Sequence, residues 1–301
     1  MVAALLAGLF ESHRAHLLSV AYRLTGSVGD AEDAVQESWL RLAGAHQSEI
    51  DDLRPWLTTV VSRICLDRLR SAAVRRERYV GQWLPEPVVT SRTPSSRPDP
   101  LEAVARKPEC RLAAMVVLDT LTPPQRVAFV LHDGLSMSFD EIADILDISA
   151  DAARELAVEA RTAVADTPPP VPDAEHEAAV QCFLTALRSG DLSAVTAALH
   201  PDSVVIGDAD GTTSTAENIL SGADRIARFY LGLVRKYGLD SAEVDPAYNY
   251  EFASVNGQLG LVVTADSGRA ARVMGFTIRD GLVWGTYDLA NPAKLTGIRL
   301  G

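Results

Sequence analysis

Two proline-rich breaks constrain this chain more than any other feature. The first, 84-LPEPVVTSRTPSSRPDP-100, places five prolines among serines and threonines. Proline fixes φ and has no amide N–H, so no helix continues through the segment. It also has few side chains for a core, so it reads as a linker. The second, 167-TPPPVPD-173, reads as a short polyproline-II spacer. Three pieces remain, 1–83, 101–166 and 174–301, with no internal repeat.

The first piece reads as all helix. Phe10, Leu17, Leu18, Ala21 and Leu24 recur at helical spacing up to Gly26. The segment 30-DAEDAVQESWLRLA-43 opens with acids, which suit the positive end of a helix dipole. A third helix spans about 55–79, with Pro55 in its first turn. Its run 61-VVSRICLDRLRSAAVRRERY-80 carries Arg63, Arg68, Arg70, Arg75, Arg76 and Arg78 against Asp67 and Glu77. With Trp56 and the hydroxyls of Thr58, Thr59 and Ser62, these cations suit phosphates and unstacked bases. A solvated charged face remains the plainer reading. The acids of 30–42 suit either solvent or a basic partner surface.

The second piece is helical too, with one helix at about 102–120 and another after 122-TPPQRVAFVLHD-133. A short helix, a turn at Asp147 and the stretch 149-SADAARELAVEARTAVAD-166 then form a helix-turn-helix candidate. Ser149 is a good N-cap, and Asp147 tolerates the left-handed conformation a tight turn needs. A plain helical hairpin fits equally well. On a 100° helical wheel, Ala153, Leu156, Ala157, Ala160 and Val164 form the buried side. Arg154 and Arg161 take one exposed flank, and Asp151, Glu155 and Glu159 the other.

The third piece changes period. Helical patterns at about 174–189, 191–199 and 222–237 give way to strands at 247–254, 258–265, 270–278 and 282–289. Short turns join the strands, so an α+β domain with an antiparallel meander is expected. His200, Asp208, Asp210, Tyr248, Tyr250, Trp284, Tyr287 and Asp288 are its candidates for acid–base chemistry. The plainer reading places His200 at a helix end and the aromatics in the core.

A net charge of −12 argues against coating nucleic acid by charge alone but leaves room for a local basic patch. Cys65, Cys110 and Cys182 are far apart and odd in number, so reduced buried thiols are expected rather than a disulfide or metal site. MVAALLAGLF lacks the basic start of a signal peptide, and no apolar run reaches the ~20 residues of a membrane span. A cytoplasmic protein is expected, with no metal, cofactor or membrane contact.

The order of the three pieces is more specific than any one of them. The segments 17-LLSVAYRLTGSVGDAEDAVQESWLRL-42, 54-RPWLTTVVSRICLDRLRS-71 and 121-LTPPQRVAFVLHDGLSMSFDEIADIL-146 resemble extracytoplasmic-function (ECF) sigma factors of bacterial RNA polymerase. The motifs 83-WLPEP-87 and 291-NPAKL-295 resemble the subgroup with a fused SnoaL-like domain of the NTF2-like fold. The resemblance implies two all-α domains followed by an α+β domain with a curved antiparallel sheet. The divisions are a sigma-2 domain (1–83), a linker (84–100), a sigma-4 helix-turn-helix domain (101–166), a second linker (167–173) and a SnoaL-like domain (174–301). The loop 207–222 departs from the subgroup, with Thr212 where a lysine is common.

The resemblance also implies roles by position. Asp33, Gln36, Glu37 and Trp39 would bind core RNA polymerase. Leu53, Arg54, Trp56, Arg63, Asp67 and Arg70 would open and read the −10 element, which requires a base to leave the stack. Ser149, Arg154, Val158 and Arg161 would address the −35 element of promoter DNA. Trp83, Leu84, Pro85, Glu86 and Pro87 would dock near Asn291, Pro292, Lys294 and Leu295 to regulate activity in cis. No catalytic residue is expected, and a small-molecule ligand of the third domain stays open. Two further classes remain: an enzyme tethered by its N-terminal domains, and an adaptor that binds polymerase but reads little DNA.

Overall fold

Gly26, at φ 69°, ends the first helix of the computed structural model, which describes residues 2–46, 50–76, 81–92, 100–211, 215–237, 248–265 and 268–298. Arg78 and Thr212 lie outside the described residues, as do the side chains of Arg75, Arg76 and Tyr248. Two compact units emerge. One comprises Met1–Arg78, Arg97–Cys110 and Ala114–Thr167; the other comprises Tyr79–Ser96, Arg111–Ala113 and Pro168–Gly301.

In the first unit, α1 (Val2–Thr25), α2 (Val28–Gly44) and α3 (Leu53–Arg76) pack as a bundle. Leu17, Leu18, Leu24, Val35, Leu42, Leu57 and Val61 are buried in the unit's core, as their helical spacing requires. Ser27 caps α2 by accepting a hydrogen bond from Asp30 N at 3.2 Å. The expected helix at 102–120 is broken into α4 (Pro100–Ala105), a 3-10 turn (Pro108–Cys110) and α5 (Leu112–Leu118). Pro108 explains the break, because it removes a helical donor and disfavours helix at the preceding residue.

Helices α6 (Pro123–Leu135), α7 (Phe139–Leu146) and α8 (Ala150–Val164) complete this unit. Asp147 makes the turn between α7 and α8 in the left-handed region, at φ 60° and ψ 52°. Ser138 and Glu141 form a reciprocal capping box on α7. Arg126, only 1% exposed, donates from Nε to Arg23 O at 2.9 Å and pairs through Nη1 with Asp119. Gly134 leaves space for the Arg23 guanidinium, which a Cβ would strike. These contacts fasten α6 to α1.

The second unit sets α9 (Asp173–Ser189), α10 (Leu192–Ala197) and α11 (Ala223–Tyr237) against a seven-stranded sheet. The strands are β1 (Val89–Thr90), β2 (Leu199–Asp208), β3 (Leu220–Ser221), β4 (Tyr248–Val255), β5 (Gln258–Ala265), β6 (Ala270–Arg279) and β7 (Leu282–Leu289). Their order is β1-β4-β5-β6-β7-β2-β3. Every pairing is antiparallel except β2 with β7, which is parallel. Phe183, Tyr230, Ile226, Val205 and Phe276 form the centre of the core between helices and sheet.

Strand β2 runs through the residues expected to finish a helix and enter a loop. The pair His200–Pro201 disguises it, since proline usually argues against a strand. A register shift between Leu199 and Val204 accommodates the interruption. His200 therefore lies in a strand, and Asp208 ends that strand fully buried.

Candidate functional site

On α2, Asp33, Gln36, Glu37 and Leu40 fall on one outward arc at 100° per residue. Asp33, Gln36 and Leu40 are exposed, Leu40 to 63%. Trp39 is half-buried at the edge of the arc, its ring 5.2 Å from that of Phe10. The sequence reading missed Leu40; its signal was a leucine at the wheel position between three polar candidates.

Arg68 of α3 bonds Asp30 at 2.9 Å and Asp33 at 3.4 Å. It ties the acidic helix to the basic one across an open cleft of about 320 Å³. Further along α3, Arg54, Arg63, Asp67 and Arg70 are exposed, while Leu53 and Trp56 are half-buried. At 100° per residue Trp56, Arg63, Asp67 and Arg70 fall on one side of α3, with Leu53 at its edge, whereas Arg54 turns toward His16. Arg70 lies 3.8 Å from Asp67. Arg63 is already engaged, donating from Nη2 to Asp144 O of α7 at 2.9 Å.

His16 organises the start of α3. Thr58 Oγ1 donates its proton to Arg54 O at 2.8 Å, so it can only accept from His16 Nε2, 3.0 Å away. Nδ1 of His16 is then the acceptor for Arg54 Nη2 at 3.4 Å. Burial, then the charge of Arg54, lower the His16 pKa to about 4. The ring is neutral at neutral pH and steadies the Arg54 guanidinium.

On α8, Ser149 caps the helix by accepting from Ala152 N at 3.2 Å. Ala153, Ala157 and Ala160 are buried, and Arg154, Val158 and Arg161 are exposed. Both arginines have carboxylate partners. Arg154 Nη1 donates to Asp151 at 2.6 Å, and its guanidinium lies 5.1 Å from the Phe139 ring centroid. Arg161 Nε donates to Asp133 at 2.7 Å, a bond that raises its pKa.

The linker motif meets the C-terminal motif within the second unit. Leu84 N donates to Asp208 Oδ2 at 2.7 Å, and Lys294 Nζ donates to Leu84 O. Lys294 Nζ also bonds Asp208 Oδ2 at 2.6 Å and sits 3.2 Å from the Trp83 ring centroid. Both polar ends of Leu84 are thus held by one buried ion pair. Four residues on, Asn256 repeats the pattern: its Oδ1 accepts from Val88 N at 3.0 Å and its N donates to Val88 O at 2.8 Å. The chain then pairs with β4 as β1, Val89 opposite Val255 and Thr90 opposite Ser254. Leu84, Pro85, Pro87 and Val88 are buried, and Glu86 is half-buried. Asn291 caps the 3-10 turn Pro292–Lys294, which aims Lys294 inward; Pro292 stays exposed and Leu295 is buried. Asp208 was a candidate for pocket chemistry; its partner is Lys294. Asn256 lies in the short turn that joins β4 to β5.

The remaining candidates of this unit separate. His200 faces Asp280 at 3.6 Å and Asp210 is exposed. Tyr287 is buried with its hydroxyl on Thr277, and Trp284 is half-buried. Asp288 points to the opposite face from Tyr287, as consecutive strand residues must. It is buried, bonded to Thr215 at 2.6 Å and paired with Arg272. Burial raises its pKa, with Arg272 opposing. Tyr230, not singled out in the sequence, is buried near the same carboxylate.

Cys65 and Cys110 are buried thiols, whereas Cys182 is exposed on the outer side of α9. Among the described residues, no cluster of His, Cys, Asp or Glu could hold a metal ion, and no helix is long and apolar enough to cross a membrane.

Comparison with known proteins adds an independent finding. Residues 9–75 match the family Sigma-70 region 2, and residues 111–164 match Sigma-70, region 4. The ECF RNA polymerase sigma factor SigJ of Mycobacterium tuberculosis is 48% identical over 297 residues, which is 96% of this chain and 92% of that protein. The probable ECF RNA polymerase sigma factor SigI of the same species is 35% identical over 221 residues, 72% of this chain and 73% of that one. The crystal structure of M. tuberculosis SigJ aligns at a TM-score of 0.79 and 46% identity, covering 98% of this chain and 100% of that one.

Proposed function

The chain belongs to the ECF RNA polymerase sigma factors, and from that premise we propose how its parts divide the work. It binds core polymerase and directs promoter-specific initiation in the cytoplasm, as a transcription factor rather than an enzyme. The arc Asp33, Gln36, Glu37 and Leu40 on α2, with Trp39 at its edge, docks on core. Leu53, Arg54, Trp56, Arg63, Asp67 and Arg70 open and read the −10 element. Ser149, Arg154, Val158 and Arg161 address the −35 element. The second unit modulates this activity in cis by gripping the linker that follows α3.

One observation carries the regulatory part: the buried Lys294–Asp208 pair holds both the N–H and the C=O of Leu84. A buried ion pair is a poor source of stability but a good source of a unique docking geometry. Its loss should free the linker while leaving the core-binding helix intact. Run-off transcription with core polymerase, comparing the full chain with Lys294→Met and with a chain ending before residue 174, tests this. Unchanged promoter-dependent yield in both would overturn it.

A second reading is favoured by the buried Asp288 and Tyr230 with the half-buried Arg272 and Thr215 beside them: the second unit binds a small molecule that reports a signal. Asp288 Oδ1 has no hydrogen-bond partner among the described residues, which leaves one acceptor for a ligand or a water. Native mass spectrometry of the protein purified from its own cytoplasm, wild type against Asp288→Asn, decides it. A bound mass lost in the variant supports the reading, and a ligand-free wild type contradicts it.

A further inference from the structure

We propose that Asp133 and Asp151 are built-in counterions of α8 that hold its two arginines away from DNA phosphates and so weaken the grip on the −35 element. The proposal rests on the assignment of α8 as the −35 reader.

Arg154 and Arg161 are the only cations in Ala150–Val164. Each is held by a carboxylate at hydrogen-bond distance, 2.6 Å to Asp151 and 2.7 Å to Asp133. A guanidinium uses the same N–H fork for a carboxylate as for a phosphate oxygen, so the two compete directly. The Asp133 contact is not a local helix pair, because it reaches from α6 to α8. Arg154 is restrained further by the face of Phe139. A phosphate must therefore compete with a carboxylate already bonded to each guanidinium, and that carboxylate stays nearby to repel it. Glu155 serves as the contrast: it is an exposed acid on the same helix, and no arginine is bonded to it among the described residues. These pairs lie at the surface, where an ion pair contributes little. The aspartates therefore tune the reader rather than silence it.

The counterion picture predicts more than a change in affinity. Each arginine released to a phosphate adds about 0.9 to the slope of log K against log salt concentration. Simple removal of a distant acid relieves repulsion without adding a phosphate contact.

The test uses the full-length chain, alone and with core polymerase. It binds a 30-base-pair duplex carrying the −35 region of a promoter recovered by sequencing run-off transcripts, and the same duplex with that region scrambled. Anisotropy titrations across salt compare wild type with Asp133→Asn, Asp151→Asn, Glu155→Gln, Arg161→Ala and Asp133→Asn/Arg161→Ala. Asp133→Asn and Asp151→Asn should each tighten binding about two- to five-fold, the range an exposed pair allows, and steepen the salt slope. Glu155→Gln should leave the slope unchanged. In the Arg161→Ala background, Asp133→Asn should lose its effect. Equal tightening by Asp133→Asn with and without Arg161, or an unchanged slope in both aspartate variants, overturns the proposal. Failure of the −35 assignment is separate: wild type and variants would then bind both duplexes equally, while the slopes still report whether the arginines were released.

Discussion

His16 shows how much a single side chain can fix. Its Nε2–H tautomer is dictated by one threonine proton, and its lone pair faces Arg54. The folded pKa, about 4, lies below the model-peptide value of 6.5. The unfolded chain therefore binds more protons between those values, so stability is complete above pH 6.5 and falls as pH drops toward 4. His176 is shifted the same way by burial and contributes to the same fall. Urea-unfolding midpoints followed from pH 7 to 4 should drop more steeply for wild type than for His16→Gln. Parallel curves would show that His16 is not held neutral.

Lys294 makes a second prediction at this scale. Replacing it by Met removes the cation beside the buried Asp208 carboxylate, which costs about 3–5 kcal/mol. Lys294→Met combined with Asp208→Asn removes both charges and should restore much of that loss. Chemical denaturation of the second unit's transition measures both; a single variant as stable as wild type contradicts the buried-pair account.

At the scale of elements, the helices and the last four strands were legible because apolar period and turn residues agreed. Strands β5 and β7 fall on the residues expected. What stayed hidden had a physical reason in each case. Pro201 masked β2, whose register shift absorbs the proline. Pro108 broke a helix whose apolar period continued on both sides. Strand β1 is two residues long and becomes a strand only when β4 supplies its partner. The WLPEP and NPAKL motifs could be named from sequence, but nothing in their spacing showed that Asp208 and Asn256 would receive the linker, because those contacts span more than 120 residues of chain.

Element α2 should behave as a docking face. Leu40→Asp is expected to reduce core-polymerase affinity at least tenfold in a competition assay, since on the proposed docking face it replaces an apolar contact with a further carboxylate. An unaltered affinity would remove Leu40 from the face. Helix α8 should follow the asymmetry of its flanks: Arg154→Ala weakens −35 binding and Glu155→Ala does not, and weakening by Glu155→Ala would contradict the assignment.

At the scale of the whole molecule, the first unit is closed. Arg63, a −10 candidate, is bonded to α7 of the helix-turn-helix. The −10 and −35 elements are separated by roughly 25 base pairs, about 85 Å at 3.4 Å per step of duplex. If α3 and α8 take the −10 and −35 elements as proposed, that contact must break before both are engaged. Dyes placed at the exposed positions 71 and 140 should show high energy transfer in the free chain and low transfer in the holoenzyme–promoter complex. High transfer in both would mean that the unit engages DNA without opening.

The central claim is that this is a promoter-directed sigma factor whose linker is held by its own C-terminal unit. Run-off transcription tests it most directly, with core polymerase, fragmented genomic DNA and either the full chain or Lys294→Met. Discrete transcripts sharing −10 and −35 sequences are expected, with yields altered at least threefold by the variant while core binding is retained. Transcripts without a shared promoter, or identical yields from both proteins, would contradict it.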